Sequence, residues 1–248
     1  MLLRLIFLLL CSFLSALPLL AQDEDEPYQN EYVGGIDLNT NAGIFGGFFF
    51  RHSKFVNKKR YRLFAVELVN VKNPKEQKTS NGNTGNSYIY HKTNYLLPLR
   101  FQFGRKYVLF QRAEEEGVEV SAILAGGPTL GLLKPYYIQY DYTDYTNSNS
   151  TTPTDIRKEQ YQPGRDSADA RILGSGGFSS GLFHTKIRPG INIKGGLAFE
   201  LGKYGGGITG IEVGGLLELF SKKLIIIPEA SNRAVFSSVY LNLYFGTR

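Results

Sequence analysis

The chain has 248 residues, with 28 basic and 22 acidic side chains, and its one cysteine is Cys11. The basic excess is small and spread along the chain, which is not the pattern of a nucleic-acid-binding module. Because the cysteine lies in the first apolar run, the remaining residues exclude disulfides, cysteine metal ligands and thiol nucleophiles. Nucleic-acid binding and thiol chemistry are therefore excluded before any motif is considered.

Residues 1–21 predict a secretory signal peptide, with Arg4 before an apolar run at 5–14 and a small residue, Ala21, at the cut. Removal of this segment leaves 227 residues, enough for one domain. Lipidation of Cys11 is disfavoured because Leu10 occupies the position where a lipoprotein signal needs a small residue. Residues 22–31 follow as an acidic leader, which we expect to be disordered, and residues 32–248 form the remaining domain.

Alternation of apolar and polar residues is the main pattern of this domain. At 239–245 the apolar Val239, Leu241, Leu243 and Phe245 alternate with polar or amphipathic residues, as in a strand between lipid and a polar lumen. Glycine pairs inside such runs are expected to make room for crowded inward side chains. Eight such strands are predicted, at residues 32–41, 44–54, 61–72, 93–110, 118–140, 191–203, 208–220 and 235–246. The predicted fold is all-β: a closed antiparallel up-and-down transmembrane β-barrel of the outer membrane.

The lengths of the connections are an independent indication of this fold. With both termini in the periplasm, residues 41–43, 73–92, 141–189 and 221–234 fall outside the cell, and the connections at 55–60, 111–117 and 204–207 are all short. Residues 143–166 are mostly polar, so their deletion is expected to cost little folding energy. Residues 173–183 are apolar among glycines and serines and are expected to pack over the barrel mouth as a short helix or turn.

The same alternation assigns a set of charged side chains to the lumen. We expect a charge network there formed by Arg100, Lys194, Glu200, Glu212 and Glu218, with Asp37, Arg51, Glu67 and Glu119 also facing inward. An eight-stranded barrel is just wide enough for side chains to fill, so these charges predict a salt-bridged plug. A path for protons or ions is the alternative interpretation.

Catalytic, metal and cofactor motifs are weak. His91 and His184 lie in or beside the outer loops. Nearby in sequence are three serines, Ser87, Ser179 and Ser180. A Ser/His catalytic site would need residues of these two types. The three histidines, His52 included, lack metal-ligand spacing, and the glycine-rich residues 174–177 lack the Lys-Ser/Thr ending of a phosphate loop. The sequence therefore predicts no catalytic residue, no metal and no cofactor.

Three stretches carry a resemblance to a known group of proteins. They read GIDLNTN at 35–41, VELVNVKNPKE at 66–76 and GLLKPYY at 131–137. With the strand pattern, they resemble small eight-stranded outer-membrane β-barrel proteins of Gram-negative bacteria, in a family without a defined activity. The resemblance implies fold and location and carries over no catalytic residue. The ending FGTR departs from the terminal aromatic of such barrels, and Phe245 is expected to take that role.

Three functions follow from this interpretation. The first is a structural or interaction role, in which the long outer loops contact an envelope protein, as an accessory to a secretion or assembly machine. The second is a narrow pore or small-ligand transport protein, and the third is an outer-membrane barrel enzyme. The expected partners are outer-membrane lipid and an envelope protein, with no nucleic acid. A pore needs an unfilled lumen, so the inward charges favour the first function.

Overall fold

The structure is a computed structural model that describes residues 29–82, 84–111, 117–146, 152–162, 171–202 and 207–248. The predicted signal peptide lies outside the described residues, as does the leader before residue 29. The described residues form thirteen strands and a short 3-10 helix, Leu182–His184: β1 Asn30–Asn39, β2 Gly43–Asn57, β3 Arg60–Val69, β4 Lys78–Ser80, β5 Ser87–Ile89, β6 Asn94–Phe110, β7 Val118–Pro135, β8 Tyr137–Asp141, β9 Ile156–Gln160, β10 Ile172–Ser175, β11 Lys186–Gly202, β12 Gly207–Leu224 and β13 Arg233–Thr247.

No helix in the described part of the chain has the length and apolar character needed to cross a membrane.

Eight of the strands close into a barrel, in the order β1-β13-β12-β11-β7-β6-β3-β2, and every neighbouring pair is antiparallel. A row of paired residues that starts at Tyr32 passes through His52 and Phe103 and reaches Ser237 on β13. Tyr32 itself pairs with Thr247, ten residues further along the same strand. This stagger reflects the strand tilt that closure of a barrel requires. The predicted eight-stranded up-and-down barrel is confirmed.

Several predicted strand boundaries differ from the observed ones, and three of the differences are informative. The fifth was expected to run unbroken over 118–140, but β7 ends at Pro135 and β8 leaves the barrel to pair with β9 and β10. The break occurs at Tyr136, whose backbone N–H donates to the Thr93 carbonyl at 2.8 Å and so turns the chain. The sixth strand begins at Lys186, five residues before the predicted start. The prediction started too late because Arg188 and Pro189 interrupt the alternating pattern. The first begins at Asn30, so the last two residues of the predicted leader belong to β1.

The two faces of the barrel wall have opposite character. Apolar side chains cover the outside, and Phe48, Phe103, Ile193 and Phe245 are each more than half exposed. Inside, buried charged and amide side chains lie beside an apolar cluster that includes Phe49, Leu63 and Ile123. An apolar outer surface of this kind fits a lipid environment. A charged side chain on the lipid face near the midplane would cost about 2–4 kcal/mol, so charged side chains are expected on the inside.

The long connections gather at one end, here called the loop end, opposite the terminal end where β1 starts and β13 finishes. There β4 and β5 form a hairpin, and β8, β9 and β10 form a three-stranded sheet in the order β10-β8-β9. These elements share an aromatic-rich core, named the loop-end core: Tyr88, Tyr136, Ile138, Tyr140, Tyr161 and Ile172. The connections are therefore folded units and not simple loops.

The segment expected over the mouth does pack there. The Phe178 ring lies 5.6 Å from that of Tyr95, at the start of β6, and the Gly176 N–H donates to the Tyr137 carbonyl at 2.7 Å. The 3-10 helix Leu182–His184 follows in the same segment. Residues 173–183 thus cover the loop end with both a turn and a short helix.

Candidate functional site

The lumen near the terminal end contains a cluster of five charged side chains that converge from four strands and from Arg248, just after β13. The Lys106 ammonium lies 2.9 Å from Glu31, 3.1 Å from Glu119 and 2.6 Å from Glu200. The Arg248 guanidinium is 3.2 Å from Glu119 and 2.5 Å from Glu200. The Lys106 side chain has no solvent exposure, so its pairs are shielded from salt and water, whereas Arg248 is partly exposed. These paired charges fill the lumen at the terminal end of the barrel.

A second cluster lies at mid-barrel. The Lys194 ammonium contacts Glu67 at 2.5 Å and Glu212 at 3.2 Å, and the Arg51 guanidinium donates to Glu212 at 2.6 Å. The Tyr240 hydroxyl also donates to Glu212 at 2.8 Å. One carboxylate therefore accepts from three side chains on three different strands.

Glycines provide the space for Tyr240. A Cβ on Gly196 or on Gly214 would lie 2.5 Å from the Tyr240 hydroxyl oxygen, closer than carbon and oxygen can approach. The wall opposite the tyrosine must therefore lack side chains. This explains one glycine in each of two glycine pairs inside the alternating runs.

The third cluster is nearer the loop end. The Arg100 guanidinium donates two hydrogen bonds to Glu218, at 2.9 and 3.1 Å, and approaches Glu67 at 3.5 Å. The Gln102 amide bridges Glu67 and Asn192 at 3.2 and 3.1 Å. A guanidinium that donates two parallel hydrogen bonds to one carboxylate forms the strongest type of charge-assisted pair.

The structure brings the five predicted network residues into two groups, which Arg51 links because it pairs with both Glu212 and Glu31. Arg100 and Glu218 pair directly and connect to Lys194 and Glu212 through Glu67. Glu200 belongs to the other group and pairs with Lys106 and Arg248. Sequence reasoning did not select the lumen residues Glu31, Lys106, Tyr240, Tyr244 and Arg248. The parity of β6 already places Lys106 on the same face as Arg100 and Gln102.

Little space remains among these side chains. The cavity between Arg51, Lys194 and Glu212 has a volume of about 10 Å³. A water molecule needs at least about that volume, together with two or more polar partners. The arrangement can brace the wall from inside, but this part of the lumen holds no continuous water column.

Two buried lysines, Lys92 and Lys134, lie at the loop end. The Lys92 ammonium bonds Glu76 at 2.8 Å and lies 4.3 Å from the Tyr95 ring centre. Burial lowers the pKa of Lys92, Glu76 opposes that shift, and Lys72 adds to it. The Lys134 ammonium lies between the rings of Tyr95 and Phe178, at 4.7 and 4.9 Å. Cation–π contacts therefore join the barrel rim to the segment that covers it.

The histidines do not form the suggested Ser/His arrangements within the described residues. The His91 ring contacts the Glu229 carboxylate, while the Ser180 hydroxyl donates to the Gly176 carbonyl at 2.7 Å. Within the same residues, no three His, Cys, Asp or Glu side chains are placed to share a metal ion. His91 and Ser180 therefore each contact another part of the loop end in the described residues.

Closed topology, an apolar outer face and a charge-filled lumen define the class: this is an integral β-barrel protein of the outer membrane. No protein-family model and no curated protein sequence matches the chain. Among solved structures, it is similar to Ail, the attachment invasion locus protein of Yersinia pestis, crystallised with the heparin analogue sucrose octasulfate. The match has 8% identity and a TM-score of 0.37, and covers 88% of this chain and 96% of Ail. The barrel assignment depends on the strand register and not on this similarity.

Proposed function

We propose that the protein has a structural or interaction role, in which its loop end faces outward and contacts an envelope protein partner. The observation that carries the proposal is the loop-end core, which organises two long connections into packed sheets. Ordering so many loop residues costs conformational entropy, and mere connectors between barrel strands need only a few residues. A partner of an envelope secretion or assembly machine is the class that fits this surface.

The exposed edge of the loop-end sheet is the part best suited to contact. β9 pairs with β8 and forms the edge of the described three-stranded sheet. Ile156, Arg157 and Lys158 on this strand are exposed. Edge strands are templates for strand addition by a partner, and charged side chains keep them from indiscriminate pairing.

The filled lumen argues against the pore alternative. Three clusters of paired charges occupy successive levels, and the cavity among the middle ones is no larger than a single water molecule. A transport protein of this size would need these pairs to separate during each passage. The interaction role requires no such rearrangement.

The test is copurification from native membranes with a triple variant, Ile156→Ser, Arg157→Ser and Lys158→Ser. We expect loss of the copurified partner with unchanged heat-modifiable mobility on a gel, because the substituted side chains are exposed. The matched control is Lys58→Ser with Lys59→Ser, which changes the terminal end. An unchanged partner set for the folded triple variant would contradict the proposal and point to the acidic leader and the turn at 114–116.

A further inference from the structure

A row of three cations lies on the lipid-facing side of the barrel. Lys54 on β2 pairs in register with Arg62 on β3, which pairs with Arg105 on β6. All three side chains are exposed, and no carboxylate in the described residues forms an ion pair with any of them. These three residues are named the basic row. Like charges directly opposite each other on adjacent strands are destabilising, so the row needs a compensating anion.

The depth of the basic row is marked by its neighbours. The next outward-facing row towards the loop end is aromatic over the same strands, with Tyr32, His52, Phe64 and Phe103 in register. Aromatic girdles sit at the boundary between hydrocarbon and headgroups. The basic row, one level beyond this girdle towards the terminal end, therefore lies at the level of lipid phosphates.

Among the residues that the structure describes, the cations on the outer wall near the terminal end lie on the adjacent strands β2, β3 and β6. At the same end, the outer faces of β11 and β13 present Phe199 and Phe245. A general preference of the girdle for basic residues would not confine them to three adjacent strands.

A groove in the outer wall adjoins the basic row. It has a volume of about 430 Å³ and is lined by Arg105 and Tyr107 at one end and by Phe103, Leu124 and Ile193 along its length. Gly126 lies in register between Phe103 and Ile193, so the absence of a side chain there forms the floor. The groove therefore runs from the cations along the apolar wall.

We propose that the basic row and this groove bind an anionic phospholipid of the membrane leaflet at the terminal end. The phosphate would lie against Arg62 and Arg105, because a guanidinium offers two parallel donors to phosphate oxygens. One acyl chain would lie along the groove. The site is separate from the loop end and does not depend on the proposed partner interaction.

The test is native mass spectrometry of the full chain in neutral detergent, with equal amounts of phosphatidylglycerol and phosphatidylcholine. We expect preferential retention of phosphatidylglycerol by the wild type. Arg62→Gln with Arg105→Gln should weaken this retention by about fivefold for each arginine, hence about 25-fold for the pair. The control, Lys222→Gln with Lys223→Gln, removes two exposed charges at the loop end of β12 and should change nothing.

A third variant tests the groove without changing charge. Leu124→Trp places a larger side chain on the lipid-facing wall and should weaken retention of phosphatidylglycerol while the barrel stays folded. Equal retention of both lipids by the wild type would overturn the proposal, as would equal losses in the arginine and lysine variants. Unchanged retention in Leu124→Trp would overturn the part that assigns the acyl chain to the groove. Heat-modifiable mobility checks that each variant is folded.

Discussion

Individual charged residues of the lumen differ in how many partners depend on them. Lys194 lies between Glu67 and Glu212, while Glu218 is contacted by Arg100 alone among the charged side chains of the described lumen. Removal of a cation that two buried carboxylates share leaves both short of a partner. Lys194 is therefore the most consequential single position of the mid-barrel cluster.

Lys194→Met should lower the free energy of unfolding by about 3–5 kcal/mol, because it leaves buried carboxylates uncompensated. Urea titration of the folded, heat-modifiable form measures this loss. Lys223→Met, at an exposed position of the neighbouring strand, should stay within about 0.5 kcal/mol of wild type. Adding Glu67→Gln to Lys194→Met should recover part of the loss. Equal stability of Lys194→Met and wild type would show that the pairs do not brace the wall.

At the scale of secondary-structure elements, the loop-end sheets have a core distinct from that of the barrel. Tyr136 is almost fully buried there, and its hydroxyl accepts the Ile89 backbone N–H at 2.9 Å. It also packs edge-on to Tyr95 at 5.4 Å. One side chain thus joins the β4–β5 hairpin, the start of β8 and the barrel rim.

Tyr136→Ala should open the loop end while the barrel remains closed. Truncation of a buried aromatic side chain costs about 3–5 kcal/mol, and here that loss falls on the small sheets. Limited proteolysis should show new cuts between residues 70 and 93 and between 136 and 185, with unchanged heat-modifiable mobility. Phe183→Ala, at a fully exposed aromatic of the same end, is the control. Equal protease resistance of both variants would contradict an independent loop-end core.

Deletion of residues 143–166 is not the neutral change that their polarity suggests. The cut would remove β9 and its pairing with β8, and it would also remove Tyr161, a buried member of the loop-end core. The Tyr142 hydroxyl would also lose its hydrogen bond to Glu159, at 2.8 Å. The sequence analysis missed β9 because an edge strand at the surface buries little of either face and so needs few apolar residues.

The difference between what the sequence predicts and what it misses has a physical cause. Barrel strands alternate strictly between lipid and lumen, so a period of two located all eight and assigned Arg100, Glu212 and Glu218 to the interior. The strands β4, β5, β9 and β10 are three to five residues long and depend on tertiary pairing, which no local pattern records. Glu31 was missed because it follows an acidic run that is typical of a disordered segment.

For the whole molecule, the filled lumen predicts negligible conductance in planar bilayers. Each of the three charge clusters crosses the interior and links strands that are not neighbours in the sheet, so an open path would require several buried pairs to separate at once. The measurement is single-channel recording of the wild type beside a porin of known conductance. Large, stable open-channel currents would refute the plug and support the transport alternative.

The lumen clusters also bear on whether the wall can part sideways. The seam between β1 and β13 is a run of eight paired residues, from Tyr32 with Thr247 to Asn39 with Tyr240. Ion pairs cross the interior from one side of this seam to the other, since Glu31 on β1 holds Lys106 on β6 and Arg51 on β2 holds Glu212 on β12. Unzipping the seam would therefore strain contacts far from it, and amide protons along β1 and β13 should exchange only when the whole ring unfolds. A barrel braced in this way does not open between β1 and β13, so lipids cannot enter its interior from the side. Lipids therefore contact the protein at its outer wall.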